Sequence, residues 1–178
     1  MTTGHVFIAT SLDGFIARAD GDIAWLLERD DPAEDHGYGD FIADKDAIVM
    51  GRGSYEKALT FDGWHYEQPV VVLSKQLAGT PVPEPLRGKV RFSALAPAAL
   101  MEELARQGMR RVYVDGGRVV QSFLREGLVE DMTITTVPVL LGAGRPLFGA
   151  LPRDIGLQLT GSRSFPSGLV QSSYQVLK

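Results

Sequence analysis

Four places along the chain end a short apolar run in residues suited to holding an anion or a flat ring. Val49-Met50 runs into Gly51-Arg52-Gly53-Ser54, and Val112-Tyr113-Val114 into Asp115-Gly116-Gly117-Arg118. Glycines let a ligand approach the backbone closely, and a helix starting there aims its unpaired N–H groups at an anion. Arg52 adds a planar, permanently charged fork, and Ser54 is a candidate cap for the following helix. Val70-Val71-Val72-Leu73 ends in Ser74-Lys75, a hydroxyl and an ammonium that would hold a second phosphate. No carboxylate stands at that run's end, where one would favour an unphosphorylated ribose. Val6-Phe7-Ile8-Ala9 leads into Ser11-Leu12-Asp13-Gly14-Phe15-Ile16-Ala17 and then Trp25, an apolar lid under which a ring would fit. Each segment alone is also what an ordinary turn looks like, since short glycine motifs are weak evidence. Two anion-suited glycine turns in one small chain are harder to assign to chance.

Other chemistries lack their residues. There is no cysteine, which removes disulfides, thiolate metal sites and cysteine nucleophiles together. His5, His36 and His65 have no ligand spacing, so no metal is expected. Gly142-Ala143-Gly144 lacks the third glycine of a dinucleotide fingerprint, and neither a Walker loop nor Gly-x-Ser-x-Gly occurs. With 18 basic against 22 acidic residues and no basic run, nucleic acid is not an expected partner. No run is long enough to span a membrane, so no membrane partner is expected, and the absence of cysteine suits a cytoplasmic protein.

The elements that must position these residues follow from the pattern. At 178 residues the chain predicts one domain, residues 1–178. The four apolar runs are β-branched and lack polar alternation, as expected of strands covered on both faces. Helical spacing lies between them: around Phe41, Ile42 and Lys45; around Tyr55, Ala58 and Leu59; from Pro97 to Gly108; and from Val119 to Gly127. This alternation predicts an α/β fold with a mostly parallel central sheet. Met132 to Val137, Leu157 to Thr160 and Leu169 to Leu177 are predicted strands with no helix between them, expected to add antiparallel strands at one edge. Ligands of such sheets bind beyond the carboxyl ends of the strands, where all four segments fall.

Taken together, these segments resemble the superfamily shared by dihydrofolate reductase and the reductase domain of the riboflavin-biosynthesis deaminase–reductase. The resemblance rests on Ser11-Leu12-Asp13-Gly14-Phe15-Ile16-Ala17, Val49-Met50-Gly51-Arg52-Gly53-Ser54-Tyr55-Glu56, Val72-Leu73-Ser74-Lys75 and Asp115-Gly116-Gly117-Arg118-Val119. Pro138-Val139-Leu140-Leu141-Gly142-Ala143-Gly144 with Pro146-Leu147-Phe148 completes it. It implies a three-layer dihydrofolate reductase-like sandwich that uses NADPH. By position, Ala9 and Ile16 would flank the nicotinamide, and Gly51, Arg52 and Ser54 would meet the adenosine-side phosphates. Ser74 and Lys75 would lie near the 2′-phosphate, and Gly116, Gly117, Arg118 and Val119 along the pyrophosphate and nicotinamide.

On the substrate side, the resemblance implies a carboxylate on the helix before the Met-Gly-Arg strand. Asp35 is the best match, with Tyr38 and Phe41 in the same pocket and Thr135 under the substrate ring. Asp35 sits among Asp30, Asp31, Glu34 and Asp40, a region equally explained as solvated acid. Asp115 departs from the folate enzymes, which place a glycine there. The Leu141-Gly142-x-Gly144-x-x-Leu147-Phe148 pattern is similar to the riboflavin-type branch. That branch's bifunctional members carry a zinc deaminase domain, for which a chain without cysteine lacks the ligands, so a stand-alone reductase is implied. The expected reaction is hydride transfer to a small heterocycle, most like 5-amino-6-(5-phosphoribosylamino)uracil, in a homodimer. A folate or pterin reductase, a reductase of another substrate, and a non-catalytic NADP-binding protein remain the alternatives.

Overall fold

In the computed structural model, which describes residues 1–178, an eight-stranded sheet is flanked by helices on both faces. In chain order the strands are β1 (Thr3–Ser11), β2 (Phe15–Ala17), β3 (Ala47–Gly51), β4 (Val70–Leu73), β5 (Val90–Ser93), β6 (Arg111–Asp115), β7 (Val129–Val137), β8 (Arg145–Pro146), β9 (Leu157–Ser164) and β10 (Val170–Val176). The helices are α1 (Ala24–Leu27), α2 (Tyr38–Ala43), α3 (Arg52–Ala58), α4 (Pro97–Arg106) and α5 (Gly117–Arg125). The main sheet is ordered β5-β4-β3-β6-β1-β7-β10-β9, and β2 pairs with β8 in a separate two-stranded ribbon.

The first six strands of that order run parallel, and β10 pairs antiparallel with both β7 and β9. This corrects one expectation: the strand holding Met132 to Val137 is parallel to β1, not antiparallel. A parallel neighbour requires a crossover, and α5 supplies it by carrying the chain back before β7 begins. Three elements carry too little periodicity to be foreseen: β5, with its polar Arg91, and the two- and three-residue strands β8 and β2.

Alternation along the covered strands divides the core. Ala47, Val49, Val112 and Val114 face α4 and α5, packing on Leu100, Leu104, Val120 and Phe123. Ile48, Met50 and Tyr113 face the other way, toward Tyr55, Phe41 and Trp64. Trp25 was expected in an apolar lid over a ligand. It is instead buried against Val137 and Leu169 as the anchor of a third small cluster.

Two loops at the carboxyl edge are tied to one another. The Asp13 carboxylate accepts from the Ser11 hydroxyl (2.6 Å) and from the N–H groups of Leu141 and Gly142 (3.1 and 2.7 Å). These bonds, the Ser11 hydroxyl first, hold the Asp13 carboxyl below its usual range. Leu147 N–H donates to the Gly14 carbonyl at 3.0 Å, which completes the seam. Gly117, expected to stay bare for a pyrophosphate, is buried, and a Cβ there would collide with the Pro146 carbonyl oxygen. The protein's own ribbon therefore demands that glycine.

Two outcomes follow from this seam. Gly117→Ala overpacks it and should cost about 2 kcal/mol, lowering Tm by roughly 4–8 °C; an unshifted calorimetric melt would contradict the packing. The folded Asp13 carboxyl is the more acidic one, so its stabilisation is present at neutral pH and fades as pH falls below the ordinary carboxylate range. Asp13→Ala should therefore melt lower than the parent at pH 7, by a gap that narrows toward pH 3. Parallel stability curves at both pH values would exclude that role.

Candidate active site

Because six strands finish at one edge, β1, β3, β6 and β7 deliver Ser11, Gly51, Asp115 and Val137 to the same rim. Helices α3 and α5 start directly from two of those strands. Neither helix has a side-chain cap, so the opening N–H groups of both are left for another acceptor. Gly116 has φ +88°, and a Cβ on it would lie 2.6 Å from the Ser54 hydroxyl and 3.9 Å from the Gly51 nitrogen. The two uncapped starts thus meet across one glycine. Each end carries partial positive charge, so together they favour a ligand bearing two anionic groups.

The foreseen cofactor residues mostly gather here. Gly51 and Val119 touch, since a Cβ on Gly51 would lie 3.2 Å from Val119. Ile16 packs beside Gly117, and Ala9 is partly exposed on β1. Arg118 is exposed in the first turn of α5. Ser54 is corrected: it is not the cap of α3 but lies in its first turn, with its hydroxyl bonded to Asp115. The Arg52 guanidinium is half exposed and pairs with Glu56 at 3.1 Å. The Ser74 hydroxyl accepts from Leu77 N–H at 3.2 Å, closing the turn that presents the exposed Lys75. Arg145 was missed. Its guanidinium lies against Gly21 and Gly53, and its Nε donates to the Ala19 carbonyl at 3.3 Å, adding a cation with no carboxylate partner to this edge. Two residues of β8 gave no sequence signal for it.

Asp115 occupies the floor of the recess, on the face of the sheet that carries Tyr113. Burial pushes its carboxyl above the usual range, against the hydrogen bonds from Ser54, Tyr113 and the Gly116 N–H. The Tyr113 hydroxyl lies 2.9 Å from the Phe7 carbonyl and 3.3 Å from the Asp115 carboxyl. Its single proton is shared between these two acceptors, the nearer Phe7 carbonyl taking the larger part. Around this group stand three phenols. Burial, with the Asp115 charge behind it, pushes Tyr38 up to about 12, and raises Tyr66 and Tyr113 as well. Asp115 stood in the sequence only as a departure from a glycine pattern, and Tyr66 gave no signal at all.

On the substrate side the expectations divide. Tyr38 and Phe41 lie on α2, in an aromatic group with Phe7 and Tyr113 at ring separations of 5.0–6.4 Å. Thr135 is buried on β7 directly opposite Ala9. Asp35 is corrected: it is not on the helix before β3 but in the exposed loop leading to it. Its carboxylate folds back onto the Gly37 N–H at 2.7 Å, as a short acid preceding a left-handed glycine does. The buried acid of that loop is Glu34, which accepts from the Ser167 hydroxyl and N–H at 2.5 and 2.7 Å. His5 is fully buried between Asp131 and Thr3, a structural role. No cluster of side chains suits a metal ion, and no helix is long and apolar enough to cross a membrane.

Comparison with known proteins agrees with this arrangement. A Shewanella sp. PV-4 structure provisionally assigned to riboflavin biosynthesis is 36% identical, covers 99% of this chain and 100% of its own, and superposes with a TM-score of 0.92. The uncharacterized protein YwjB of Bacillus subtilis is 33% identical over 164 residues, 90% of each chain. The riboflavin biosynthesis protein RibD of Corynebacterium ammoniagenes is 31% identical over 147 residues, which are 76% of this chain and 43% of that protein. The model of the RibD C-terminal domain matches residues 3–171, nearly the whole chain, and the chain belongs to that reductase family.

Proposed function

We propose that this protein is an NADPH-dependent reductase that reduces a C=N or C=O bond of a small heterocycle, most like 5-amino-6-(5-phosphoribosylamino)uracil. The observation that carries the reading is the meeting of two uncapped helix starts across Gly116, with the raised carboxyl of Asp115 on the recess floor beside them. Those residues fit a dinucleotide. The N–H groups opening α3 and α5 would hold the pyrophosphate. Arg52, Arg118 and Arg145 would neutralise its charge, and Lys75 with Ser74 would meet a 2′-phosphate. Ala9, Ile16 and Val119 would give the nicotinamide an apolar bed. When bound, NADPH supplies the hydride.

The chain's own contribution is placement and a proton. Asp115 takes the acid role that the sequence alone placed on Asp35. A carboxyl whose charged form is disfavoured by burial keeps its proton to higher pH than an exposed one, so it can donate to the acceptor nitrogen or oxygen as that atom gains electrons. Tyr38, Phe41 and Phe7 wall the recess and keep it dry, and Thr135 lies beneath the ring position.

Asp115→Asn should therefore lower kcat by about 10²–10⁴-fold, with NADPH affinity little changed. In the parent, kcat/KM should fall as pH rises through the Asp115 pKa, above the ordinary carboxylate range. Because the folded-state pKa is raised, the ionised side chain destabilises the fold at neutral pH, so Asp115→Asn should not melt lower there. Stopped-flow and steady-state pH profiles with 5-amino-6-(5-phosphoribosylamino)uracil test this, and a full-rate asparagine variant would refute the acid role. By calorimetry NADPH should bind more tightly than NADH, by roughly 10- to 150-fold for one charge-assisted contact. Lys75→Ala should narrow that gap; equal affinity for the two cofactors in the parent would remove the 2′-phosphate assignment.

A further inference from the structure

Ala9, Thr135, Gln171 and Arg163 stand directly opposite one another on four neighbouring strands, β1, β7, β10 and β9. They form one row, from the recess to the outer strand of the sheet. Thr135 and Gln171 are each only 5% exposed, so their polar groups must find partners within the protein or in a ligand. Arg163 Nε donates to Gln171 Oε1 at 3.0 Å, and Gln171 Nε2 donates to the His36 carbonyl at 3.0 Å and to Thr135 Oγ1 at 2.9 Å.

The two outer partners leave no freedom in the orientation of the amide. The Arg163 Nε can only donate, so it must face the amide oxygen; the His36 carbonyl can only accept, so it must face the amide nitrogen. Each condition alone fixes the same orientation. The second N–H of Gln171 is then committed to Thr135, whose hydroxyl oxygen must accept. Its proton is left over, and no protein acceptor lies within reach of it. On its other side the row offers only the methyl group of Ala9, at the recess.

We propose that Gln171 and Arg163 are positioning residues that lock the Thr135 hydroxyl as a donor toward the recess, so that the site selects a heterocycle presenting an exocyclic carbonyl oxygen there over one presenting an amino N–H. The proposal rests on the reductase reading for what occupies the recess, and it names the hydrogen-bonding polarity of that substrate's edge. A donor locked in place discriminates because a wrong partner leaves two buried N–H or O–H groups facing each other without an acceptor. Arg163 supports the lock from outside: its guanidinium packs over the Phe165 ring, 4.7 Å from the centroid, and makes no carboxylate pair that would draw it off Gln171.

The test uses two probes on one skeleton, 5,6-diaminouracil and 2,4,5,6-tetraaminopyrimidine, which differ in carbonyl against amino groups. Titrated calorimetrically, the parent should favour the uracil by about tenfold, the scale of one net hydrogen bond. Thr135→Val, which removes the hydroxyl at constant shape, and Gln171→Glu, whose carboxylate can only accept and would turn the Thr135 proton inward, should both narrow that ratio to below about threefold. Thr135→Ser should restore it. NADPH affinity should stay the same in all four proteins, which a general loss of structure would not allow. No preference in the parent, no binding of either ring, or a preference that survives Thr135→Val would each overturn the proposal. Should Gln171→Glu fail to fold, the Thr135→Val and Thr135→Ser pair decides alone. A parent that shows the preference yet binds no NADPH would instead sink the reductase reading and leave the donor assignment standing.

Discussion

Strands that run parallel must all end on the same side of their sheet, and here six of them do. Everything chemical in the molecule follows from that constraint. It brings two helix starts within one residue of each other, and it sets the end of β6 beside the aromatic residues on α2. Backbone N–H groups that would otherwise need capping face a common space. Uncapped N–H groups gathered in this way favour an acceptor bearing negative charge.

Against that electropositive edge sits a carboxyl that burial disfavours as an anion. The two features support one another. A charged Asp115 would repel the phosphates that the helix starts attract, whereas a protonated one is neutral toward them and still useful as an acid. The phenols of Tyr38, Tyr66 and Tyr113 add apolar bulk without adding charge at neutral pH, because the same burial keeps each hydroxyl protonated. Farther along the same face the row from Arg163 to Thr135 imposes direction on hydrogen bonds rather than charge. One end of the recess therefore carries helix starts and a carboxyl, and the other a row of directed hydrogen bonds.

The glycines show why such a site needs the whole fold to be understood. Gly116 is left-handed where two helix starts meet, and its bareness leaves room for Ser54 and for a ligand. Its neighbour Gly117 looks identical in a motif, yet the β2–β8 ribbon occupies the space its side chain would need. Asp13, which reads as a hairpin residue, in fact pins the loop at Leu141 and Gly142 from 128 residues away in sequence.

What the sequence by itself determined was whatever local pattern encodes. Unbroken apolar runs gave the covered strands, 3.6-residue spacing gave the helices, and the residues that follow each run pointed to the edge where Gly51, Arg52, Gly116 and Arg118 gather. Tertiary structure decided the rest, because the deciding contacts join residues that no local window contains. The carboxyl of Asp115 is raised by burial that only the assembled fold provides. Asp35, expected by its position in the chain on the helix before β3, lies in the loop ahead of it, where a left-handed Gly37 turns its carboxylate back on the backbone. Arg145 reaches this edge through a two-residue strand too short to show a period, and Gln171 is oriented by Arg163, Thr135 and the His36 carbonyl, none of them its neighbour in sequence. Local propensity is written in neighbouring residues, whereas burial and hydrogen-bond direction are set by distant ones.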